Sequence, residues 1–163
     1  MTVSEILQKM ITRAGGNLHD IAHFVKVWAY AKTIGELEGL DPEMQRLVEI
    51  TAIIHDIAVP FCRGKYGSAD GKLQERESDP LAREFLSGCG CSEELIDRSA
   101  LLVSHHHTYD PILGVDHQIL LEADYLVNAE ESRYPAENIR NAGERIFRTE
   151  AGKKILRDMF GIV

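Results

Sequence analysis

Histidines and aspartates in apolar surroundings are the residues of this sequence whose types and spacing suggest chemistry. His55 and Asp56 interrupt the apolar run AIIHDIAVPF at 52–61, and Asp124 lies in LLEADYLVNA at 120–129. A carboxylate stays ionised in the interior only when a partner compensates its charge, so both aspartates need one. Imidazoles and carboxylates suit divalent cations such as Mn, Fe, Co, Ni and Zn. One cation near the centre of the protein would compensate both aspartates together.

The other histidines support this hypothesis by their positions. His19 and His23 are four residues apart, so both would project from one face of a helix. The segment SHHHT at 104–108 places His105, His106 and His107 at the end of another predicted helix. Taken singly, such residues have ordinary structural explanations, for example a core histidine or an aspartate paired with an arginine. A histidine, a His-Asp pair and a later aspartate on successive helices together favour a metal site.

The elements that must position these residues are predicted to be helices, because apolar residues recur three and four positions apart. The predicted spans are 3–14, 19–39, a helix that opens at Asp41-Pro42 and carries His55 and Asp56, 79–87, 92–106, 116–130, 135–147 and 150–160. The polar, glycine-containing residues 61–77, FCRGKYGSADGKLQERE, are predicted to form a functional or mobile loop that borders the metal cleft. Since strict strand-like alternation is missing from the sequence, the predicted fold class is all-α.

Length and composition bound the function classes. At 163 residues the chain is predicted to form one domain. The net charge of −8 argues against a nucleic-acid polymer or an anionic membrane as a partner. A small phosphorylated ligand stays compatible with this charge, because a bound metal reverses the local field. Three cysteines, an odd number, and an N-terminus without the shape of a signal peptide predict a cytoplasmic protein.

Three short motifs resemble those of the HD-domain superfamily of metal-dependent phosphohydrolases. HDIAHFVKV at 19–27 is similar to the first motif of that family, AIIHDIA at 52–58 to its namesake motif, and LEADYLVNA at 121–129 to its final aspartate motif. The segments KYGS at 65–68, QERE at 74–77 and HHHT at 105–108 further suggest a bacterial HD-domain hydrolase subgroup. The resemblance covers about residues 17–130 and implies a single-domain helical bundle. Residues 135–160 would complete the bundle or form the surface of a homodimer.

The resemblance implies a ligand set for one divalent cation, which would be Mn, Fe, Co, Ni, Zn or Mg. That set is His23, His55, Asp56 and Asp124. Binuclear members of the family add an adjacent histidine pair before the final aspartate, and His105-His106 or His106-His107 stand in that position. His19 stands where some binuclear members have an acidic ligand. Binuclear members also use a histidine between these groups, and none lies between 56 and 105 here, so one cation is favoured over two.

The resemblance further implies hydrolysis of a phosphate ester or phosphoanhydride in a small, nucleotide-like substrate. Many members carry a lysine shortly after His-Asp, but Ala58 and Val59 follow here, so other residues must neutralise phosphate. The candidate catalytic residues are Lys65, Glu75, His106 and His107, and the candidate substrate-binding residues are Arg63, Lys65, Tyr66 and Arg76. Solvated surface charge is the alternative for the loop residues. A di-iron oxygenase of the same fold and a non-catalytic nucleotide sensor are the alternative functions.

Overall fold

The computed structural model describes residues 1–162, and within that range the protein is all-helical, as predicted. Nine helices follow one another: α1 Val3–Arg13, α2 Leu18–Leu37, α3 Pro42–Ile54, α4 Val59–Tyr66, α5 Gly71–Ser87, α6 Glu93–Val103, α7 Val115–Glu131, α8 Ala136–Arg145 and α9 Glu150–Phe160. None of the helices within 1–162 combines the length and the apolarity that crossing a bilayer requires.

Side-chain caps fix several of the helix starts. Thr2 and Glu5 form a reciprocal capping box at α1, and Asn17 caps α2. At α3, Asp41 accepts from two backbone N–H groups and Pro42 occupies the first turn, where its missing N–H costs nothing. These caps explain why the predicted starts of the first three helices agree with the structure to within one residue.

The helix predicted to carry His55 and Asp56 ends earlier than expected. Helix α3 stops at Ile54, His55 is its C-cap, and Asp56 lies in the turn before α4. Pro60 explains the break, because a proline inside a helix clashes with the carbonyl four residues earlier and cannot donate to it. The proline is tolerated in the first turn of α4. The prediction of one continuous helix was therefore wrong, and the His-Asp pair occupies a turn.

The prediction of a loop at 61–77 was also wrong. Residues 61–66 belong to α4 and residues 71–77 to α5, so only a short connection separates the two helices. Gly67 ends α4 in the left-handed conformation at φ 67°, and Asp70 caps α5 through the Lys72 N–H. Similarly, α6 ends at Val103, so the histidines at 105–107 lie in the turn after it and not in its last residues.

The apolar core forms two clusters on either side of α2 and α3. One cluster gathers side chains of α2, α3, α6, α7, α8 and α9 and of the α8–α9 connection, including Val27, Leu126 and, in that connection, Phe147. The other gathers side chains of α1, α2, α3, α5 and α6, including Phe24 and Ile53. Helix α2 packs closely on both α3 and α7. The residues between these three helices are therefore held by closely packed core helices.

Candidate metal centre

Four predicted ligands meet where α2, the α3–α4 turn and α7 approach one another. His23 Nε2 lies 3.2 Å from His55 Nε2, 3.4 Å from Asp56 Oδ2 and 3.3 Å from Asp124 Oδ1. His55 Nε2 lies 3.5 Å from Asp56 Oδ2 and 3.4 Å from Asp124 Oδ1. We name His23, His55 and Asp124, together with Asp56 Oδ2, the inner set. Two helices and the turn between α3 and α4 thus direct two imidazole nitrogens and two carboxylate oxygens at one point.

A second group faces the other oxygen of Asp56. His106 Nε2 lies 3.4 Å from Asp56 Oδ1, and the rings of His106 and His107 are tilted by 42° with their centroids 3.9 Å apart. Ligand atoms of Asp56, His106 and His107 all lie within 4.8 Å of one another. We name His106 and His107, together with Asp56 Oδ1, the outer set. Asp56 is therefore shared by two potential ligand sets, and its side chain is 26% exposed between them.

Each inward-facing imidazole is held at its other nitrogen. His55 Nδ1 is 2.8 Å from the Ala52 carbonyl oxygen, and His106 Nδ1 is 2.6 Å from that of Val103. His23 Nδ1 is instead 2.9 Å from Glu131 Oε2. An Nδ1 that donates a proton leaves Nε2 of the neutral ring with a free lone pair, which is the form that binds a metal.

The electrostatics of the inner set keep negative charge inside the protein. Burial opposes ionisation of Asp56 and Asp124, yet the surrounding imidazoles hold the pKa of both carboxyls below the ordinary range. Burial likewise opposes protonation of His23, but its contacts with the two aspartates raise its pKa to about 9. Two ionised carboxylates in a buried place attract either protons or a cation.

The outer set behaves differently. Partial burial and the neighbouring His106 lower the pKa of His107 to about 4, so His107 is neutral at physiological pH. The pKa of His106 is raised: burial opposes its charge, but contact with Asp56 outweighs that effect. A neutral imidazole at the exposed edge of the cluster is available as a ligand or as a hydrogen-bond partner.

Three contacts hold the turn that carries the outer set. His117 Nε2 donates to the His105 carbonyl oxygen at 3.0 Å, and its Nδ1 accepts from the Leu113 N–H at 3.2 Å. The Thr108 hydroxyl donates to Glu75 of α5 at 2.8 Å. Gly71, at the start of α5, lies so close to His107 that an added Cβ would be 2.9 Å from its ring. The start of α5 thus borders the cluster, so the prediction that residues 61–77 border the cleft holds for this part of the segment only.

The remaining predicted site residues lie outside the cluster. His19 is 71% exposed, and its Nε2 lies 4.0 Å from Glu131 Oε2, which is not a member of the inner set. His105 turns back to the Leu101 carbonyl oxygen. Arg63 is paired with Asp20, whereas Lys65, Tyr66 and Arg76 gather around Glu77 at the far end of α4. The structure therefore brings Glu75, but none of these four substrate-binding candidates, against the cluster.

Sequence reasoning missed Glu131, Lys26 and the bracing role of His117. Glu131 follows Asp124 by seven residues, two turns along α7, so both project from the same face. Lys26 follows His23 by three residues on α2 and binds Glu131 Oε1 at 2.8 Å. Helical spacing from a predicted ligand was thus an available signal for both residues.

Comparison with known proteins supports the predicted fold. No protein-family model matches the chain, and no curated protein matches it. Among solved structures, the chain is similar to a predicted HD superfamily hydrolase from an uncultured Thermotogales bacterium. The TM-score is 0.66 and the identity is 23% over 98% of this chain and 83% of the other. The resemblance is confirmed at the level of the fold: this all-α protein shares the fold of that predicted HD superfamily hydrolase.

Proposed function

We propose that this protein is a metal-dependent phosphohydrolase that cleaves a phosphate ester or phosphoanhydride of a small, nucleotide-like substrate. The observation that carries the proposal is the convergence of His23, His55, Asp56 and Asp124 on one point, with the Asp56 carboxylate partly exposed. The HD-type fold of a predicted hydrolase supports the same reading.

The cluster has the features that a divalent cation requires. Asp124 Oδ1 and His106 Nε2 are buried and make no hydrogen bond within the described residues. In the same part of the chain, the ion-pair partners of Asp56 and Asp124 are all histidines, with no lysine or arginine among them. Two carboxylates with mixed imidazole partners suit Mn, Fe, Co, Ni or Zn. The residues present therefore fit a resident cation better than they fit a protein-only ion pair.

The roles of the residues follow from their places. The inner set would hold the cation, which supplies an activated water and a positive charge for phosphoryl oxygens. Because Asp56 and Asp124 serve as ligands, neither is free to act as the general base. Glu75 lies on α5, is half-buried and accepts a hydrogen bond from Thr108, the residue after His107. It is the carboxylate that we assign to proton transfer. His107 is neutral and has a ring nitrogen within 4.8 Å of ligand atoms of Asp56 and His106.

A screen of the purified protein tests this function. Metal content is measured first, and hydrolysis of p-nitrophenyl phosphate, nucleotides and sugar phosphates is then assayed with added Mn²⁺, Co²⁺, Ni²⁺ or Mg²⁺. We expect phosphate release that a chelator abolishes, that added metal restores, and that Asp124→Asn removes. Stoichiometric metal without release of phosphate from any of these substrates would contradict the proposal.

The outer set favours one second candidate, a di-iron oxygenase. Asp56 presents one oxygen to each ligand set, which is how a carboxylate bridges two cations. The outer set also forms without the additional histidine that the sequence lacks between 56 and 105. Oxygen consumption by the iron-loaded protein, measured with the same small phosphorylated compounds, separates this candidate from a hydrolase. Release of phosphate without oxygen uptake supports the phosphohydrolase.

A further inference from the structure

The three inward-facing histidines find their Nδ1 partners in two different ways. His55 and His106 follow the ends of α3 and α6, where the last carbonyl groups of a helix lack intrahelical partners. Each ring therefore bonds the free carbonyl oxygen of the residue three positions earlier. These two rings are oriented by their own backbone.

His23 has no such partner available. It lies inside α2, which runs from Leu18 to Leu37, and carbonyl groups in a helix interior are already bonded to N–H groups one turn later. Such a carbonyl oxygen can accept a second bond from a side chain, as Ala29 does from Thr33, but His23 Nδ1 bonds no carbonyl of its own helix within the described residues and takes its acceptor from another element. Glu131, the last residue of α7, supplies this acceptor, with its Oε2 at 2.9 Å from His23 Nδ1.

Glu131 is itself held in place. Lys26 Nζ lies 2.8 Å from Glu131 Oε1, so one oxygen of the carboxylate faces the lysine and the other faces His23. The Glu131 side chain is only 17% exposed, whereas that of the neighbouring Glu130 is 55% exposed. Glu130 binds the same lysine at 2.7 Å but has no contact with a candidate ligand among its hydrogen bonds and ion pairs.

We propose that Glu131 is a positioning residue for the metal centre, a role that rests on the proposed function. Its carboxylate fixes the ring of His23 so that Nε2 faces Asp56 and Asp124, and it makes that nitrogen a stronger donor. Partners of this kind change metal affinity by about 10–100-fold in metalloproteins. Lys26 holds the carboxylate, and the pair ties α2 to the end of α7 at the ligand.

Metal affinity in variants of two adjacent glutamates tests the proposal. Glu131→Ala removes the acceptor from His23, and Glu130→Ala removes a carboxylate of the same helix and the same lysine. Binding of Mn²⁺ and Co²⁺ is measured by competition with a chromophoric chelator, and the Co²⁺ absorption bands report the ligand geometry. We expect Glu131→Ala to weaken binding about 10–100-fold and alter the bands, with Glu130→Ala within about twofold of the wild type. Glu131→Gln, which keeps an oxygen acceptor without the charge, should fall between them.

Two results would overturn the inference, and they differ in what else they affect. If the wild type binds metal and Glu131→Ala binds it as tightly as Glu130→Ala, the positioning role fails while the proposed function stands. If the wild type binds neither metal, both fail together. Thermal unfolding of the metal-free variants controls for stability, because a purely structural role would lower the melting temperature without changing the metal affinity of Glu131→Gln.

Discussion

The inner and outer sets share Asp56, but the protein holds them in different ways. His23 and Asp124 of the inner set come from α2 and α7, and His55 and Asp56 come from the buried turn directly after α3; the three helices pack on one another through the apolar core. His106 and His107 of the outer set come from a turn, and their positions depend on contacts made by Gly71, Glu75 and His117. The inner set is therefore fixed by the fold itself, whereas the outer set is fixed by a few side-chain contacts.

This difference bears on how tightly each set can bind a cation. Packed interiors deform little, so ligands on core helices, or on a turn directly after one, keep their spacing with or without a metal. A turn held by single hydrogen bonds, each contributing about 1 kcal/mol, can rearrange at lower cost. We therefore expect a strong inner site and a weaker outer site, which is consistent with the sequence-based preference for one tightly bound cation.

Asp56→Ala should have the largest effect, because it removes a ligand from both sets. The charge and the ligand leave together, so the metal-free protein should remain helical. Loss of a residue that only hydrogen-bonds a ligand lowers metal affinity by up to about 100-fold. We expect Asp56→Ala to lower it by more, because Asp56 is itself a ligand. Metal that binds only the folded state adds RT ln(1 + [L]/Kd) to stability. The wild type should therefore lose a metal-dependent rise in melting temperature when chelator is added, and the variant should have none to lose.

Asp20→Ala is the control for this variant. Asp20 is also an aspartate near the site, but its oxygens bind Arg63 and not the cluster. It should retain metal and the chelator-sensitive rise in melting temperature. Stoichiometric metal in Asp56→Ala would exclude Asp56 as a ligand.

His107→Ala should separate the two sets. The substitution removes a ligand from the outer set only, so a tight equivalent of metal should remain at the inner set. In the wild type, isothermal titration should show a second, more weakly bound equivalent of Co²⁺. We expect the affinity for this second equivalent to fall by about 10-fold or more in His107→Ala. Asp124→Asn should do the reverse and remove the tight equivalent. Identical titrations for His107→Ala and the wild type would show that the outer set binds no cation.

The inner set could be predicted from the sequence because its signal is local. Buried carboxylates are conspicuous in apolar runs, and His23, His55, Asp56 and Asp124 each stand in a short motif. Helix type was equally readable from the three- and four-residue spacing of apolar side chains. The structure brings together the residues that these patterns singled out.

The features that the sequence missed depend on distant partners or on a balance of weak local signals. Helical spacing places Glu131 on the same face as Asp124, but its contact with His23, 108 positions away, appears only once α2 and α7 are packed. Residues 61–77 look like a loop because they contain several glycines, yet Gly64 lies within α4. Helix α5 even begins at Gly71, because the Asp70 cap compensates for a poor helix former.

Gly71→Ala should weaken the outer set by a smaller amount than loss of a ligand. The new Cβ would lie 2.9 Å from the His107 ring, so the ring or the start of α5 must move. We expect the weaker Co²⁺ equivalent to lose about threefold to tenfold in affinity, with the tight equivalent unchanged. Gly64→Ala is the matched control, since no atom lies within 4 Å of its added Cβ. Equal titrations for the two variants would mean that the outer set tolerates displacement of His107.

The smallest expected effect concerns His117, the buried brace behind the outer set. Its Nδ1 accepts a hydrogen bond from the Leu113 N–H while Nε2 donates to the His105 carbonyl oxygen, so the ring must be neutral. Burial lowers its pKa below the ordinary value of 6.5. Between the folded and the unfolded pKa, the unfolded chain binds more protons. This histidine therefore destabilises the fold as pH falls below about 6.5, and it adds no pH dependence at higher pH.

His117→Gln tests this sign, because glutamine can donate to the His105 carbonyl oxygen but does not titrate. With chelator present, the melting temperature of the wild type should fall further between pH 7.5 and 5.5 than that of the variant. At pH 7.5 the variant should be slightly less stable, by about 1 kcal/mol, because one hydrogen bond is imperfectly replaced. His19→Gln, at a side chain that is 71% exposed, controls for the loss of any histidine and should follow the wild type. Parallel pH profiles of the melting temperature for all three proteins would show that protonation of His117 does not destabilise the fold. The turn of the outer set would then be held mainly by Gly71 and Glu75.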